Sequence, residues 1–418
     1  MHITIAAYGT RGDVQPVLAL ALGLERAGHR VRILAGRNFE SWVRGYGFDF
    51  AATVDMEAVM RSDAGVRWSQ SGDNQWVQFR MMRRLLDSHA DELITPFLSL
   101  PADSDLLLSG FTAEPFVQAA SEASGIPYAN AFLQPYTPTR SGAALMQAVL
   151  PGRTSLINLI AGRLVPRLVW SLSSRPANNL RAALGLRPHS ASSYIRATRD
   201  TPVVYGFSQH VVPRPDDWGA EKVVSGYWFL DERADWQPSP ELTTFIEQGN
   251  PPIYIGFGSM ISLDVDATAR LITKAVTASG ERAVVGRGWG GIEHGRVSER
   301  IFVVDHAPHD WLFERVLAVI HHGGAGTTAA GLRAGRPTMI IPHMADQPYW
   351  ARRVYELGVG VAPVWRNKLT SDDLSAGIER LVCDASLRQK ASALGERIRA
   401  EDGVAAAVRP IGNLVGPS

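Results

Sequence analysis

The residues with the plainest capacity for chemistry run from Val319 to Pro337, VIHHGGAGTTAAGLRAGRP. An apolar strand delivers His321 and His322 into Gly323, Gly324 and Gly326, with Thr327 and Thr328 close behind, and a small-residue helix follows. The first N–H groups of a helix have no internal acceptor and carry roughly half a positive charge. Gly323 and Gly324 let the backbone close on an anion, and the threonine hydroxyls add donors. The pattern is a pyrophosphate cradle that uses neither a metal nor a Walker lysine. A lone histidine ordinarily reads as structural, but this context gives His322 a ring N–H for a phosphate oxygen. His321 and His322 leave the strand on opposite faces, so one packs and His322 is assigned to the ligand.

A second strand-to-helix turn follows in PHMADQPYW, after the strand TMIIP. Asp346 accepts hydrogen bonds and Gln347 both donates and accepts, which suits a ring of sugar hydroxyls. Asp346 also fits the N-cap of the helix beyond it, with Pro348 near the first turn, and the two roles are compatible.

Such loops need strands and helices to aim them. Strand-like and helix-like runs alternate from the N-terminus: ITIAAY, VQPVLALALGLERAG, RVRILA, then DLLLSG, EPFVQAASEA and PYANAFL. The alternation restarts at IYIGFGS and continues through TMIIP. It predicts an α/β chain of two Rossmann-like, doubly wound parallel sheets facing across a cleft at their strands' carboxyl ends. The halves rhyme, with IAAYGTRGDV against IYIGFGSMISLDV and ERAGHRV against LRAGRPT. The expected divisions are 1–232, a polar, proline-rich linker at 233–252, a second domain at 253–385, and a C-terminal helix within 386–418 that crosses back to the first domain.

With 418 residues, two domains are comfortable. A formal net charge of +1 implies no broad basic surface for nucleic acid. The single cysteine, Cys383, reads as a buried, inert thiol and fits a cytoplasmic location. The N-terminus lacks the basic region of a signal peptide and reads as a buried strand. Leu156 to Leu172 carries Arg163, Pro166 and Arg167, which excludes a membrane span. It reads as a core helix with a proline break; the alternative is an amphipathic helix touching lipid or a greasy ligand. Asp264 and Asp266 have a DxD spacing but precede a helix, where capping explains them. Gly286, Gly288 and Gly291 fit GxGxxG, with Asp305 at the ribose distance, yet no amphipathic helix follows to receive a dinucleotide.

HHGGAGTTAAGLRAGRPT with DQPYWARRV, GTRGDVQP at Gly9 to Pro16 and DHAPHDWLF at Asp305 to Phe313 together resemble the nucleotide-sugar-dependent glycosyltransferases of the two-Rossmann (GT-B) type. The resemblance is to their sterol-glucosyltransferase-like and antibiotic-tailoring branch, and it spans nearly the whole chain. It implies transfer of a sugar from an α-linked nucleotide donor to a hydroxyl, with inversion, without metal and without any cofactor beyond the donor substrate. By the resemblance, His322, Gly323, Gly324, Gly326 and Thr327 meet the pyrophosphate, and Asp346 and Gln347 hold the sugar. Ser259 lies near phosphate or sugar, and Ala307, Pro308 and His309 meet the nucleobase. The plant branch has Trp-Ala-Pro-Gln where this chain has His306-Ala307-Pro308-His309; glucose on UDP is expected ahead of a dTDP-sugar.

An inverting transfer needs a base on the acceptor hydroxyl. The resemblance assigns that role to Asp13, in the glycine-hinged loop with Arg11 and Gly12; the plain alternative is an N-cap for the helix that follows. The acceptor, a sterol, polyketide or other hydrophobic natural product, is expected against Trp68, Trp76, Phe79, Met81, Met82, Phe132, Tyr136 and Trp170, about half of which pack as ordinary core. Peripheral lipid contact is a further expectation. Two other readings share the architecture: a sugar-nucleotide 2-epimerase, and a non-catalytic auxiliary homologue.

Overall fold

The computed structural model describes residues 1–69, 75–98, 103–231, 236–257, 265–286 and 294–414. They form two compact units, Met1–Leu230 with the chain from Asp402 onward, and Asp231–Glu401.

The first unit is built on seven strands: β1 His2–Ala7, β2 Arg30–Gly36, β3 Asp49–Thr53, β4 Leu106–Ser109, β5 Tyr128–Phe132, β6 Val203–Tyr205 and β7 Lys222–Val224. Their order is β3-β2-β1-β4-β5-β6-β7, and every pairing is parallel. Ile3 of β1 stands between Val31 and Leu106. Alternate side chains leave opposite faces: Ile3 and Ile5 enter one apolar cluster, and Ala6, Leu34 and Leu107 enter the other. Helices cover both faces, which is why β1 (HITIAA) is buried throughout. Helix Arg11–Arg26 covers one face with Val14, Val17, Leu18 and Leu24.

The second unit has β8 Ile253–Gly256, β9 Ala283–Gly286, β10 Gly295–Arg296, β11 Ile301–Val304, β12 Val319–His321 and β13 Thr338–Ile340. Their order is β10-β11-β9-β8-β12-β13, with only the edge strand β10 antiparallel. Without β10, this repeats the winding of the first five strands of unit one. The order reverses between β1 and β4 in one sheet and between β8 and β12 in the other, the points where open α/β sheets bind ligands.

Several expectations change at this level. The segment read as a linker carries helix Pro240–Glu247, capped by Ser239, whose hydroxyl accepts from Leu242 N–H at 3.1 Å. Leu242 and Phe245 are buried in unit two, with Phe245 5.4 Å from Phe302. The prolines at its borders hid a short apolar period. The C-terminal stretch read as one helix is two, Ala385–Arg399 in unit two and Gly403–Gly412 in unit one. Asp402 starts the second by accepting from Ala405 N–H at 3.0 Å. That helix packs on Arg11–Arg26, where a Cβ on Gly23 would lie 2.2 Å from Val404. Cys383 ends helix Ser371–Cys383 and is exposed, not buried. The run from Leu156 continues without a break through Pro166 and Pro176 to Ala183, and much of its apolar surface faces outward.

Candidate functional site: a donor cradle and an acid loop

The cradle begins where β12 ends. His321 is fully buried, and its Nδ1 accepts the Gly323 N–H at 3.0 Å. That bond holds Gly323 at φ 97°, a left-handed conformation open to glycine. Space demands glycine as well: a Cβ there would lie 2.6 Å from Ile340 Cγ2 and 3.2 Å from the Gln347 carbonyl. Gly324 is the N-cap of helix Ala325–Arg333, and no side chain caps this end. The N–H groups of Ala325, Gly326 and Thr327 therefore start the helix without intrahelical acceptors. The His322 ring stands beside them, its Nε2 2.7 Å from where a Cβ of Gly324 would be. Burial pushes His322 down to about 4, with the Gly256 backbone opposing the shift. At neutral pH it is an uncharged imidazole that donates one N–H rather than a cation.

The two threonines divide. Thr328 is buried, and its hydroxyl donates to the Gly324 carbonyl at 2.9 Å, so the expectation that both hydroxyls serve an anion fails for Thr328. Thr327 and Gly326 remain at the accessible rim.

The loop expected to hold the sugar adjoins this turn through Gln347, whose Cβ lies 3.2 Å from the position a Gly323 Cβ would take. Gln347 Oε1 accepts from the N–H groups of His343 (2.8 Å) and Met344 (3.0 Å), which folds the loop and leaves the amide nitrogen as its donor. Asp346 occupies the N-cap position of helix Gln347–Glu356, but its carboxylate does not cap; Oδ2 accepts from Trp350 Nε1 at 2.7 Å. Burial raises the Asp346 carboxyl above its ordinary range, opposed by the Trp350 bond. Just before it, Ala345 has φ 53°, the only positive φ on a non-glycine among the described residues. Backbone strain of this kind persists where the surroundings over-determine the loop.

Sequence reasoning missed two members of this group. His343 stacks on Phe257 (5.9 Å, 21°) and meets the His322 ring edge-on at 6.5 Å. Burial, with smaller effects from His322 and Arg366, pushes it down to about 3. Tyr254 of β8 is buried in the core with its hydroxyl level with the ends of β8 and β9, 2.1 Å and 2.8 Å from where Cβ atoms on Gly256 and Gly286 would sit. The glycines in IYIGFGS and VVGRG were the available signal.

At the base loop, Ala307 is buried with Phe302, Leu312 and Phe313, so its side chain serves the core. His309 stacks on Phe313 (4.4 Å, 14°) and meets the Tyr254 ring at 5.9 Å. Asp305 and His306 are exposed, and Asp305 pairs with His294 at 3.2 Å. Ser259, Asp264, Gly288 and Gly291 lie outside the described residues.

In unit one, β1 turns at Gly9, φ 148°, into helix Arg11–Arg26. Asp13 Oδ2 accepts from Thr10 N–H at 2.8 Å and closes a capping box. A Cβ on Gly9 would lie 2.0 Å from that oxygen. The N-cap of this helix is thus Thr10, and Asp13, expected at that position, is instead the third helical residue, half-exposed, bonding back to the cap. Gly12 is exposed on the same turn. Arg11 lies over the Trp42 ring at 4.7 Å and reaches Gln15 at 3.5 Å.

The carboxyl ends of the neighbouring strands β4 and β5 carry an aromatic triad: Phe111, which sequence reasoning missed, lies 5.5 Å from Phe132 and 4.9 Å from Tyr136. Trp68 is buried and donates to the Gln78 carbonyl at 2.9 Å, Met82 packs on the core, and Trp170 stacks on Tyr194 at 4.2 Å. Trp76 is exposed beside the partly buried Phe79. The structure therefore gathers Phe132 and Tyr136, with the Phe132 ring buried in the protein rather than open to solvent.

Residues 3–142 match the glycosyltransferase family 28 N-terminal domain, and residues 290–410 match the erythromycin biosynthesis protein CIII-like C-terminal domain. A sterol 3-beta-glucosyltransferase of Arabidopsis thaliana is 36% identical over 418 residues, covering 98% of this chain and 67% of that protein. One from Neurospora crassa is 35% identical over 432 residues, covering 98% of this chain and 27% of that protein. The chain thus spans about two thirds of the plant relative and little more than a quarter of the fungal one. CalG4, the calicheamicin glycosyltransferase, shares the fold with a TM-score of 0.70 at 17% identity, covering 99% of this chain and 98% of that one. With its two doubly wound units, the chain belongs to the GT-B nucleotide-sugar-dependent glycosyltransferases, in their sterol-glucosyltransferase-like and antibiotic-tailoring branch.

Proposed function

We propose that this chain moves glucose from UDP-glucose, in preference to a dTDP-sugar, to the hydroxyl of a sterol or similar polycyclic acceptor, with inversion and without a metal. The observation that carries the reading is the helix start at Ala325, without a side-chain cap and flanked by the neutral His322. Its amides and the imidazole supply the charge stabilisation that a leaving diphosphate requires. The Asp13 carboxylate takes the acceptor proton as the acceptor oxygen bonds to the anomeric carbon. The bond from that carbon to the phosphate oxygen breaks, and the nucleoside diphosphate leaves with the electron pair. Asp346 and the Gln347 amide orient the sugar hydroxyls, and Phe111, Phe132 and Tyr136 form part of an apolar wall for the acceptor. The sterol names of the relatives support the acceptor class.

The purified chain, freed of metal by chelation, is incubated with UDP-glucose or dTDP-glucose and a 3β-hydroxysterol, and the products are resolved by mass spectrometry and anomeric NMR coupling. A β-linked glucoside formed fastest from UDP-glucose is the expected result. Donor converted to its epimer without acceptor identifies an epimerase. Absence of any donor turnover identifies an auxiliary homologue.

A further inference from the structure

Helix Leu156–Ala183 is inverted with respect to ordinary surface helices. Over its first three turns the inner line is small or polar, with Asn158, Gly162 and Pro166 buried; Trp170 and Leu180 bring apolar bulk inward only further along. The cause is close packing. A Cβ on Gly162 would lie 3.1 Å from Leu145 and 3.3 Å from Pro138 Cα, so the loop beneath leaves no room for bulk. The bulk is turned outward. Leu156, Ile157, Ile160, Leu164 and Leu168 are 47–60% exposed. At about 100° per residue they share one arc of roughly 120° on the helix surface.

The helix is firmly seated, so the stripe is not the face of a fraying end. Asn158 Nδ2 donates to the carbonyls of Arg153 (2.9 Å), Leu150 (3.0 Å) and Arg140 (3.2 Å). Near the other end, the buried Arg181 pairs with Glu122 through two bonds of 2.8 Å and 3.0 Å. Charge is segregated over the same region. No Asp, Glu or Lys stands between Glu122 and Asp200, although the whole chain is nearly neutral. Arg153, Arg163, Arg167 and Arg175 are exposed before, beside and beyond the stripe. No helix among the described residues is long and apolar enough to cross a membrane.

We propose that this stripe docks on an anionic lipid bilayer, the helix lying in the interface with its leucines and isoleucines among the acyl chains and its arginines at the headgroups. The combination of an apolar arc, an arginine edge and no acidic residue fits that occupant; a neutral protein groove would not call for the arginines. Binding needs no donor, so it stands or falls separately from sugar transfer.

The test is co-sedimentation of the full chain with phosphatidylcholine vesicles, with and without about a third phosphatidylglycerol. Wild type is expected to sediment with the anionic vesicles and to be released by salt. The double variant I160E/L164E, at positions already facing water, is expected to bind about tenfold more weakly, with an unchanged melting temperature. R163Q/R167Q is expected to lose the preference for anionic vesicles while retaining residual binding. Equal sedimentation of wild type and I160E/L164E overturns the proposal. So does absence of wild-type binding, or a dimer in solution that I160E/L164E dissociates, which would show a second copy to be the occupant.

Discussion

The loop at Gly9 to Asp13 and the loop at His321 to Thr328 are built on one plan and finished oppositely. Each leaves the carboxyl end of a central parallel strand, turns at a glycine with positive φ (148° and 97°), and opens a helix. In unit one the helix end is closed by its own Asp13, bonded to Thr10 N–H at 2.8 Å. In unit two no side chain caps the end, and the uncharged His322 ring stands beside it. The same backbone device holds a fixed carboxylate in one case and a helix start without a side-chain cap in the other. The deciding choice is whether the third helical residue is an acid. A carboxylate at Thr327 would set a negative charge beside the helix start and repel the diphosphate proposed there; without Asp13 the first loop would lose the base proposed for it.

The sharpest way to break that comparison is at Asp13. Asp13→Asn keeps an oxygen for Thr10 N–H but cannot take a proton, so transfer should fall by about 10²–10⁴-fold with donor affinity and melting temperature nearly unchanged. Asp13→Ala should add a loss of about 1 kcal/mol in stability. Turnover measured beside calorimetric melts separates the roles, and near-wild-type turnover in Asp13→Asn leaves Asp13 a cap and nothing more.

On the other side, His322→Ala should weaken UDP binding about tenfold by titration calorimetry, and equal affinity would remove the imidazole from the cradle. The cluster also predicts a pH dependence. His322 and His343 lie at about 4 and 3 in the folded chain, below the ordinary 6.5. As pH falls below 6.5 the unfolded chain takes up protons that the folded one refuses, so stability is lost progressively, down to about 4 for His322 and about 3 for His343. Glu122, held down at about 2 by Arg181, withdraws its contribution only below about 4.5, outside most of that window. Melting temperatures at pH 7.5 and 5 should differ in that direction, and a flat profile contradicts neutral, buried imidazoles.

The smallest effects sharpen the threonine assignment. Thr328→Ala should cost about 1 kcal/mol of stability with donor affinity intact, and Thr327→Ala should leave stability alone and weaken donor binding a few-fold. The reverse pattern, read by melts and calorimetry, would exchange their roles.

Both loops were legible because their chemistry is local. Glycine, histidine and threonine between a strand and a helix define a donor-rich turn whatever surrounds it, and TRGD carries its own capping signal. The alternating runs likewise indicated two parallel sheets. The halves of each pair were less legible. Nothing in HH or TT says which member the core claims; β12 buries His321 between its neighbours, and the helix turns the Thr328 hydroxyl back onto Gly324. Asp346 was readable as a cap only until Trp350, one turn on, took its carboxylate.

The chain's order of residues by itself determined the alternation of strands and helices, the glycine turns and the chemical kind of each loop, since these depend on neighbours a few positions apart. Tertiary structure alone decided which histidine stays inside, how Phe111 joins Phe132 and Tyr136, and which side of Leu156–Ala183 meets water. An apolar period marks a face but not its partner, and the partner here was chosen by the close approach of a loop at Pro138 to Leu145 that admits only small side chains.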